Sequence, residues 1–168
     1  STNYGVNWTK TSAPSKSYTS ISSDSTGQFL IASSVHQGIV YSNNSGNSWS
    51  EANVFYSGGS TEASVFWNGV AADSTGRYAT MLVLGVNTTG GGIYLSVDYG
   101  ATWNISPNSP ALSWQAIACS STCMIQCAVT STGTVHISND RGAHWTVGQA
   151  TVYVWQSVTV DSTGQYSV

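Results

Sequence analysis

The groups that could carry out acid–base or nucleophilic chemistry are few in this chain, and most have another use. The acidic residues are Asp24, Glu51, Glu62, Asp73, Asp98, Asp140 and Asp161. Cleaving a glycosidic bond takes two carboxylates held on either side of it, one as acid and the other as base or nucleophile. Every Asp falls in a short turn rich in Ser, Thr, Asn and Gly, where a carboxylate accepts backbone N–H bonds and closes the turn. Glu51 and Glu62 are left over, in or beside a Gly-rich stretch that is a poor platform for a pair. His36, His136 and His144 show neither H-x-H nor H-x-x-x-H spacing, so no metal centre is expected. Cys119, Cys123 and Cys127 have no fourth ligand nearby, which leaves disulfide or buried-thiol roles. No catalytic residue and no cofactor is expected.

Bulk composition narrows the classes further. The chain has 168 residues, enough for one domain with a sizeable core. Only 7% are charged, against roughly 25% in ordinary soluble domains. Ser and Thr fill over a quarter of the chain. The basic residues Lys10, Lys16, Arg77 and Arg141 are too scattered for a nucleic-acid footprint or a polybasic membrane surface. No apolar run approaches the roughly 18–20 residues of a membrane-spanning helix. Partners of those two kinds, nucleic acid and a membrane interior, are therefore not expected. Seven Trp, nine Tyr and many Val and Ile argue for a packed core. With a net charge of −3, the surface must be hydrated by hydroxyls, amides or attached sugars. That suits a secreted or cell-surface protein better than a cytosolic enzyme. The lack of an initiator Met fits a mature form or a fragment.

The elements that position these residues come from an internal repeat. Four segments align without gaps: Ser1 to Trp8, Ser42 to Trp49, Ser96 to Trp103 and Ser138 to Trp145. They share the pattern S-x-[DN]-x-G-x-x-W, at spacings of 41, 54 and 42. A second unit repeats in step. Tyr18 to Gly27, Trp67 to Gly76 and Trp155 to Gly164 each run from an aromatic residue to Asp-Ser-Thr-Gly, and Trp114 to Cys123 is the same unit with Ser120 and Cys123 in place of Asp and Gly. Tyr18 to Ser23 and Gln28 to Ser33 read as two strands around that turn, Ile39 to Tyr41 as a third, and Trp49 opens a fourth after the box. Four short antiparallel strands at a period of roughly 40–50 residues are the signature of a propeller blade.

The box resembles the Asp-box, or BNR, repeat S-x-D-x-G-x-T-W of sialidase-type β-propellers, also found in sortilin-type receptors and photosystem II assembly factors. Ser96, Asp98, Gly100 and Trp103 match it fully. Ser138, Asp140, Gly142 and Trp145 match it with His144 for Thr, and Ser42, Asn44, Gly46 and Trp49 carry Asn for Asp. The resemblance implies an all-β propeller. It implies that the box is a structural hairpin between the third and fourth strands, away from the ligand face. Sialidase activity does not follow, because such enzymes grip the substrate carboxylate with an arginine cluster. This chain has only Arg77 and Arg141, in or beside the turns of the opposite face.

The repeat gives one propeller segment over residues 1–168. Full blades are expected at about 17–50, 65–105 and 113–147, with partial blades at 1–10 (a box and a fourth strand) and 154–168. Known propellers have roughly four to eight blades, so the arc must be completed. It is a window on a longer polypeptide, or closes with another copy, or closes alone as a four-blade ring; the first is preferred because the chain starts and stops inside motifs. The long middle period comes from two insertions, around Glu51 to Ser64 and Leu84 to Gly92. In up-and-down blades both lie on one face, and insertions on one face often mark a binding face. Tyr56, Glu62 and Asn87 are the ligand-binding candidates there, by position alone.

Cys119 and Cys123 flank a turn, and a disulfide between them would staple the hairpin that lacks the usual Asp and Gly. Such a bond favours an oxidising compartment. Sequons mark Asn7, Asn43, Asn87 and Asn104 as glycosylation candidates. The expected function is a non-enzymatic, extracellular structural or adhesive propeller module, glycosylated, assembling with other copies of itself or further blades, fibres included. A glycan-binding or receptor propeller and a fragment of a sialidase-like glycoside hydrolase are the alternatives.

Overall fold

The computed structural model describes residues 1, 3–56, 65–84, 91–148 and 153–167. Among the described residues there are fifteen strands, arranged in separate small sheets, and no helix. The first blade is β1 (Tyr18–Ser23), β2 (Leu30–Ser34), β3 (Ile39–Ser42) and β4 (Ser50–Glu51), antiparallel in that spatial order. After β5 (Asn53–Phe55), the second blade is β6 (Phe66–Ala72), β7 (Ala79–Leu84), β8 (Ile93–Ser96) and β9 (Thr102–Ile105). The third is β10 (Trp114–Cys119), β11 (Gln126–Thr130), β12 (Val135–Ser138) and β13 (Thr146–Val147). A final hairpin, β14 (Thr159–Val160) with β15 (Tyr166–Ser167), is the inner half of a fourth.

The second strand of each blade explains the packing. β7 is buried at Ala79 through Val83, and β11 at every position. A strand buried on both sides lies between two neighbours, which is why these stretches read as near-continuous apolar runs rather than alternating ones. Each core therefore forms between blades. Ile31 and Ile39 of the first blade pack with Trp67, Met81, Tyr94 and Trp103 of the second. Leu82 and Ile93 of the second pack with Trp114, Ile117 and Ala128 of the third. Cys127, Val129 and Val135 of the third pack with Val158 and Trp155, just before the last hairpin. Every blade thus has a leading face, toward the preceding blade and carrying its first-strand aromatic, and a trailing face, toward the next.

Two features depart from the sequence expectation. The connection after the first blade supplies β5, which pairs in parallel with the outer strand of the second blade, Val54 opposite Trp103. An outer strand offers unpaired N–H and C=O groups to any extended segment beside it, and the inserted segment takes that place. Among the described residues, 1–10 form the box turn without a fourth strand, and no third strand lies beside Trp8.

Candidate functional site

The four boxes have one geometry. The Ser hydroxyl donates to the Asx Oδ1 and accepts the Gly N–H, while the same Oδ1 accepts the N–H of the residue before Trp. In the second blade these are Ser96 Oγ to Asp98 at 3.0 Å, Gly100 N to Ser96 Oγ at 3.0 Å and Thr102 N to Asp98 at 2.9 Å. The set recurs at Ser138, Asp140, Gly142 and His144, at Ser42, Asn44, Gly46 and Ser48, and at Ser1, Asn3, Gly5 and Asn7. Two successive residues take positive φ in each turn, such as Tyr99 at 63° and Gly100 at 84°. Gly is required at the second because a Cβ there would lie 2.8 Å from Ile31 Cγ1. Trp49, Trp103 and Trp145 then donate Nε1–H to the box Gly carbonyl at 2.9–3.1 Å.

These bonds consume the carboxylates. Burial works against ionisation of Asp98, but bonds from Thr102, Ser96 and its own backbone together hold its carboxyl below the usual range. At Asp140 the His144 backbone N–H and side chain dominate and bring it to about 2. Asp24 is similar: burial opposes ionisation, and bonds from Thr26, Phe29 and Gln28 outweigh it. A carboxylate held ionised by its own turn has no proton to donate at neutral pH and is only a weak general base.

The turns between first and second strands line up at the same end as the boxes. Asp24 and Asp73 accept the N–H of Phe29 and Tyr78 at 2.9 and 3.1 Å, and in the third blade Ser120 Oγ accepts that of Ile125 at 3.3 Å. Cys119 and Cys123 are disulfide-bonded there, Cα atoms 4.8 Å apart. Cys127 is a free, buried thiol, its pKa pushed up by burial to about 12. Backbone bonds link these turns from blade to blade: Ser25 N to Ser74 O, Ser74 N to Ser121 O and Ser121 N to Ser162 O, at 3.0, 2.8 and 3.3 Å. They enclose a shallow cleft of about 290 Å³ lined by Asp24, Asp73, Ser120 and Asp161. No His, Cys, Asp or Glu group among the described residues is arranged to hold a metal ion.

The opposite end carries Tyr56, Val65, Leu84 and Gly91, the described residues that border the two insertions. Tyr56 packs beside Trp67, ring centroids 6.4 Å apart, and Trp67 meets Tyr94 edge-on at 5.1 Å. Glu62 and Asn87 lie outside the described residues. Of the sequons, Asn7, Asn43 and Asn104 are exposed, Asn104 from within β9.

The remaining feature is the leading face of the first blade, one of the apolar blade faces that an incomplete arc leaves exposed. Ile21, Val70 and Ile117 hold the same place in their first strands, and Val158 holds it just before β14. The last three are 8% exposed; Ile21 is 63% exposed. Tyr18 is 41% exposed where Trp67 and Trp114 are 1% and 0%. Together with Leu30 and Trp49 they line an apolar cleft of about 390 Å³. The signal was in the repeat itself, since each blade's first-strand aromatic packs on its predecessor.

Separate four-stranded antiparallel sheets stacked through inter-blade cores define a partial β-propeller. Solved structures with the same fold are similar in shape and remote in sequence. YCF48 from Cyanidioschyzon merolae matches with a TM-score of 0.73 and 15% identity, over 95% of this chain and 52% of that one. YCF48 bound to a D1 peptide matches with a TM-score of 0.65 and 15% identity, over 90% and 47%. A GH74 xyloglucanase from Xanthomonas campestris gives 0.62 and 14%, over 85% and 25%. The chain thus spans about half the length of the YCF48 structures and a quarter of the hydrolase. No protein-family model and no curated protein matches the sequence.

Proposed function

We propose that this chain is part of an Asp-box β-propeller serving as a non-enzymatic structural or adhesive module outside the cell, glycosylated on exposed Asn and assembling through its open blade face. The observation that carries this reading is the contrast at one repeat position, 63% exposure at Ile21 against 8% at its three equivalents. An apolar blade face costs free energy in water in proportion to its area, and burying it against a matching face recovers that. The consumed carboxylates, the low charge and the exposed sequons point the same way. Sedimentation over a range of concentrations, with intact mass before and after deglycosylation, tests it. Concentration-dependent association and a fall in mass are expected; a monodisperse, unglycosylated monomer overturns it.

A second reading is favoured by Tyr56, a half-buried aromatic that borders the first insertion and packs on the buried Trp67. Aromatic side chains at a loop end suit glycans or extended peptides, and one YCF48 structure holds a D1 peptide. Binding on a glycan array that Tyr56→Ala abolishes would move the function to that end. The GH74 likeness supports a hydrolase only if a carboxylate pair lies outside the described residues, and a hydrolysis assay decides that.

A further inference from the structure

We infer that Arg77 and Arg141, with the Tyr99 ring beside them, form a binding site for an acidic glycan at the box end of the second and third blades. The guanidiniums take its sulfate or carboxylate groups. The site extends the adhesive reading above to a ligand, and it needs neither an open blade face nor a second copy.

The repeat builds the site. The residue before Gly in each box takes positive φ, 57° at Ser45, 63° at Tyr99 and 59° at Arg141. Its N–H donates within its own blade: Ser45 to Gln28 O, Tyr99 to Arg77 O and Arg141 to Met124 O, at 3.0, 3.2 and 3.1 Å. In the second and third blades its side chain then reaches the preceding blade. The Tyr99 ring stacks on Phe29 with centroids 4.3 Å apart, and the Arg141 guanidinium carbon lies 4.2 Å from the centroid of Tyr78. Phe29 and Tyr78 hold the same place, five residues after Asp24 and Asp73. Arg77 comes to the Tyr78 ring from its own turn, 5.4 Å from the centroid, while its Nε–H donates to Val97 O at 3.3 Å. Phe29, Tyr99, Arg77, Tyr78 and Arg141 therefore connect in one row across three blades.

This row is poised for an anion. Both arginines of a chain with net charge −3 converge on one ring, and both are exposed. Among the described residues the ion pairs are Lys16 with Glu51 and His144 with Asp140, so neither arginine meets a carboxylate. Asp73, Asp98 and Asp140, in the turns around the row, accept N–H and side-chain donors of their own turns. The Arg141 guanidinium donates no hydrogen bond among the described residues, and Arg77 keeps its terminal N–H groups free. An aromatic face under a guanidinium fixes its direction and leaves its donor edge for an oxyanion, so less freedom is lost on binding. The backbone favours a sugar over a peptide. The N–H groups of Tyr99 to Thr102 and of Arg141 to His144 already donate within the turns. An extended peptide finds no strand edge to pair with there. A sugar is held by side chains, its charged groups on the arginines and its C–H face on the exposed Tyr99 ring.

The test is calorimetric binding of the full chain to dextran sulfate and to hyaluronan, at about 50 mM and about 300 mM salt. Uncharged dextran and polyglutamate are the other two arms. At least one acidic polysaccharide is expected to bind, more weakly at the higher salt, and dextran is not. Arg77→Gln and Arg141→Gln should each lose at least about tenfold in affinity, and Tyr99→Ser, which copies the first blade's box, several-fold. Arg141→Lys keeps the charge without the planar fork and should recover only part of the loss. Unchanged melting temperatures verify that the variants fold. Lys10→Gln removes the same charge elsewhere and should bind as the wild type does; an equal loss there would make the effect one of net charge and overturn the site. Loss with Tyr56→Ala but with neither arginine variant would move glycan binding to the opposite end and overturn it too. Polyglutamate bound more tightly than either polysaccharide, through the same arginines, would assign the row to an acidic protein instead. No binding to any acidic polymer at the lower salt would remove the site, while association and glycosylation, read by sedimentation and mass, would stand.

Discussion

Trp103 and Trp8 end the same motif, yet the first is fully buried and the second is 81% exposed. The turns before them are alike in their hydrogen bonds: Gly100 and Gly5 each donate to the motif Ser, and Thr102 and Asn7 each donate to the motif Asx. The box is therefore a local object, closed by its own eight residues. The burial of its Trp is not local. It needs the sheet of its own blade and the blade in front, which Trp103 has and Trp8 lacks. The first-strand positions Val70 and Ile21 teach the same lesson, one covered and one open.

The largest expected effect sharpens that contrast. Trp103→Ala should cost about 3–5 kcal/mol of stability, as for a large aromatic lost from a packed core. Trp8→Ala should cost less than about 0.5 kcal/mol, as at an ordinary surface position. Denaturant unfolding of both variants measures this at low protein concentration. A comparable loss for both would break the comparison and show Trp8 covered in solution. Glycine gives the next pair. Gly100→Ala meets both positive φ and a Cβ 2.8 Å from buried Ile31, so overpacking of about 1–3 kcal/mol adds to the left-handed cost. Gly5→Ala has nothing closer than Trp8 at 3.9 Å and should lose only the conformational part, about 1–2 kcal/mol, confined to its own turn.

The third pair compares two first-to-second strand turns. In the second blade Asp73 closes the turn and Gly76 takes positive φ; in the third, Ser120 and Cys123 stand there, Cys123 at φ 47° with a disulfide to Cys119. Closing so short a loop is worth about 2 kcal/mol in the chain-entropy view. Cys119→Ser should cost about that much. Adding Ser120→Asp and Cys123→Gly rebuilds the turn of the second blade and should recover most of it. Melting temperatures of the three proteins decide whether the staple replaces the carboxylate or merely accompanies it.

The blade pattern was legible because its signals are local: a turn pair every repeat, an aromatic opening each first strand, and apolar runs for strands buried on both sides. β5 was not legible, because parallel pairing with β9 depends on an edge made 49 residues later in the chain. The missing strand after Trp8 was overread for the same reason, since a strand exists only with a partner. The positions of the Asp residues in turns were readable from Asp-Ser-Thr-Gly. The open face of the first blade was legible too, because an incomplete arc leaves a first-strand aromatic with no predecessor to pack on. Tyr56 was marked by position, and its neighbours Trp67 and Tyr94 could be found only by folding the chain.

The smallest effect separates the boxes by charge. Asp140 is held at about 2, chiefly by the His144 N–H and side chain, while its counterpart Asn44 makes the same turn without a charge. A folded-state value below the unfolded value of about 3.9 gives stability that is complete above about pH 5 and lost as pH falls toward 2. His136 works at higher pH in the same direction. Burial lowers its pKa, so stability begins to fall once pH drops below the unfolded value of about 6.5. Solvent screening at an exposed carboxylate keeps the Asp140 amplitude well below what its shift alone implies. Urea midpoints at about pH 5, 4, 3 and 2 should therefore show a shallow decline, part of which disappears in Asp140→Asn. If the variant declines as steeply as the wild type between pH 4 and 2, the charge contributes nothing and the box works identically with Asp or Asn. In that case the hydrogen-bond geometry shared by Asn3, Asn44, Asp98 and Asp140 accounts for the whole of the turn.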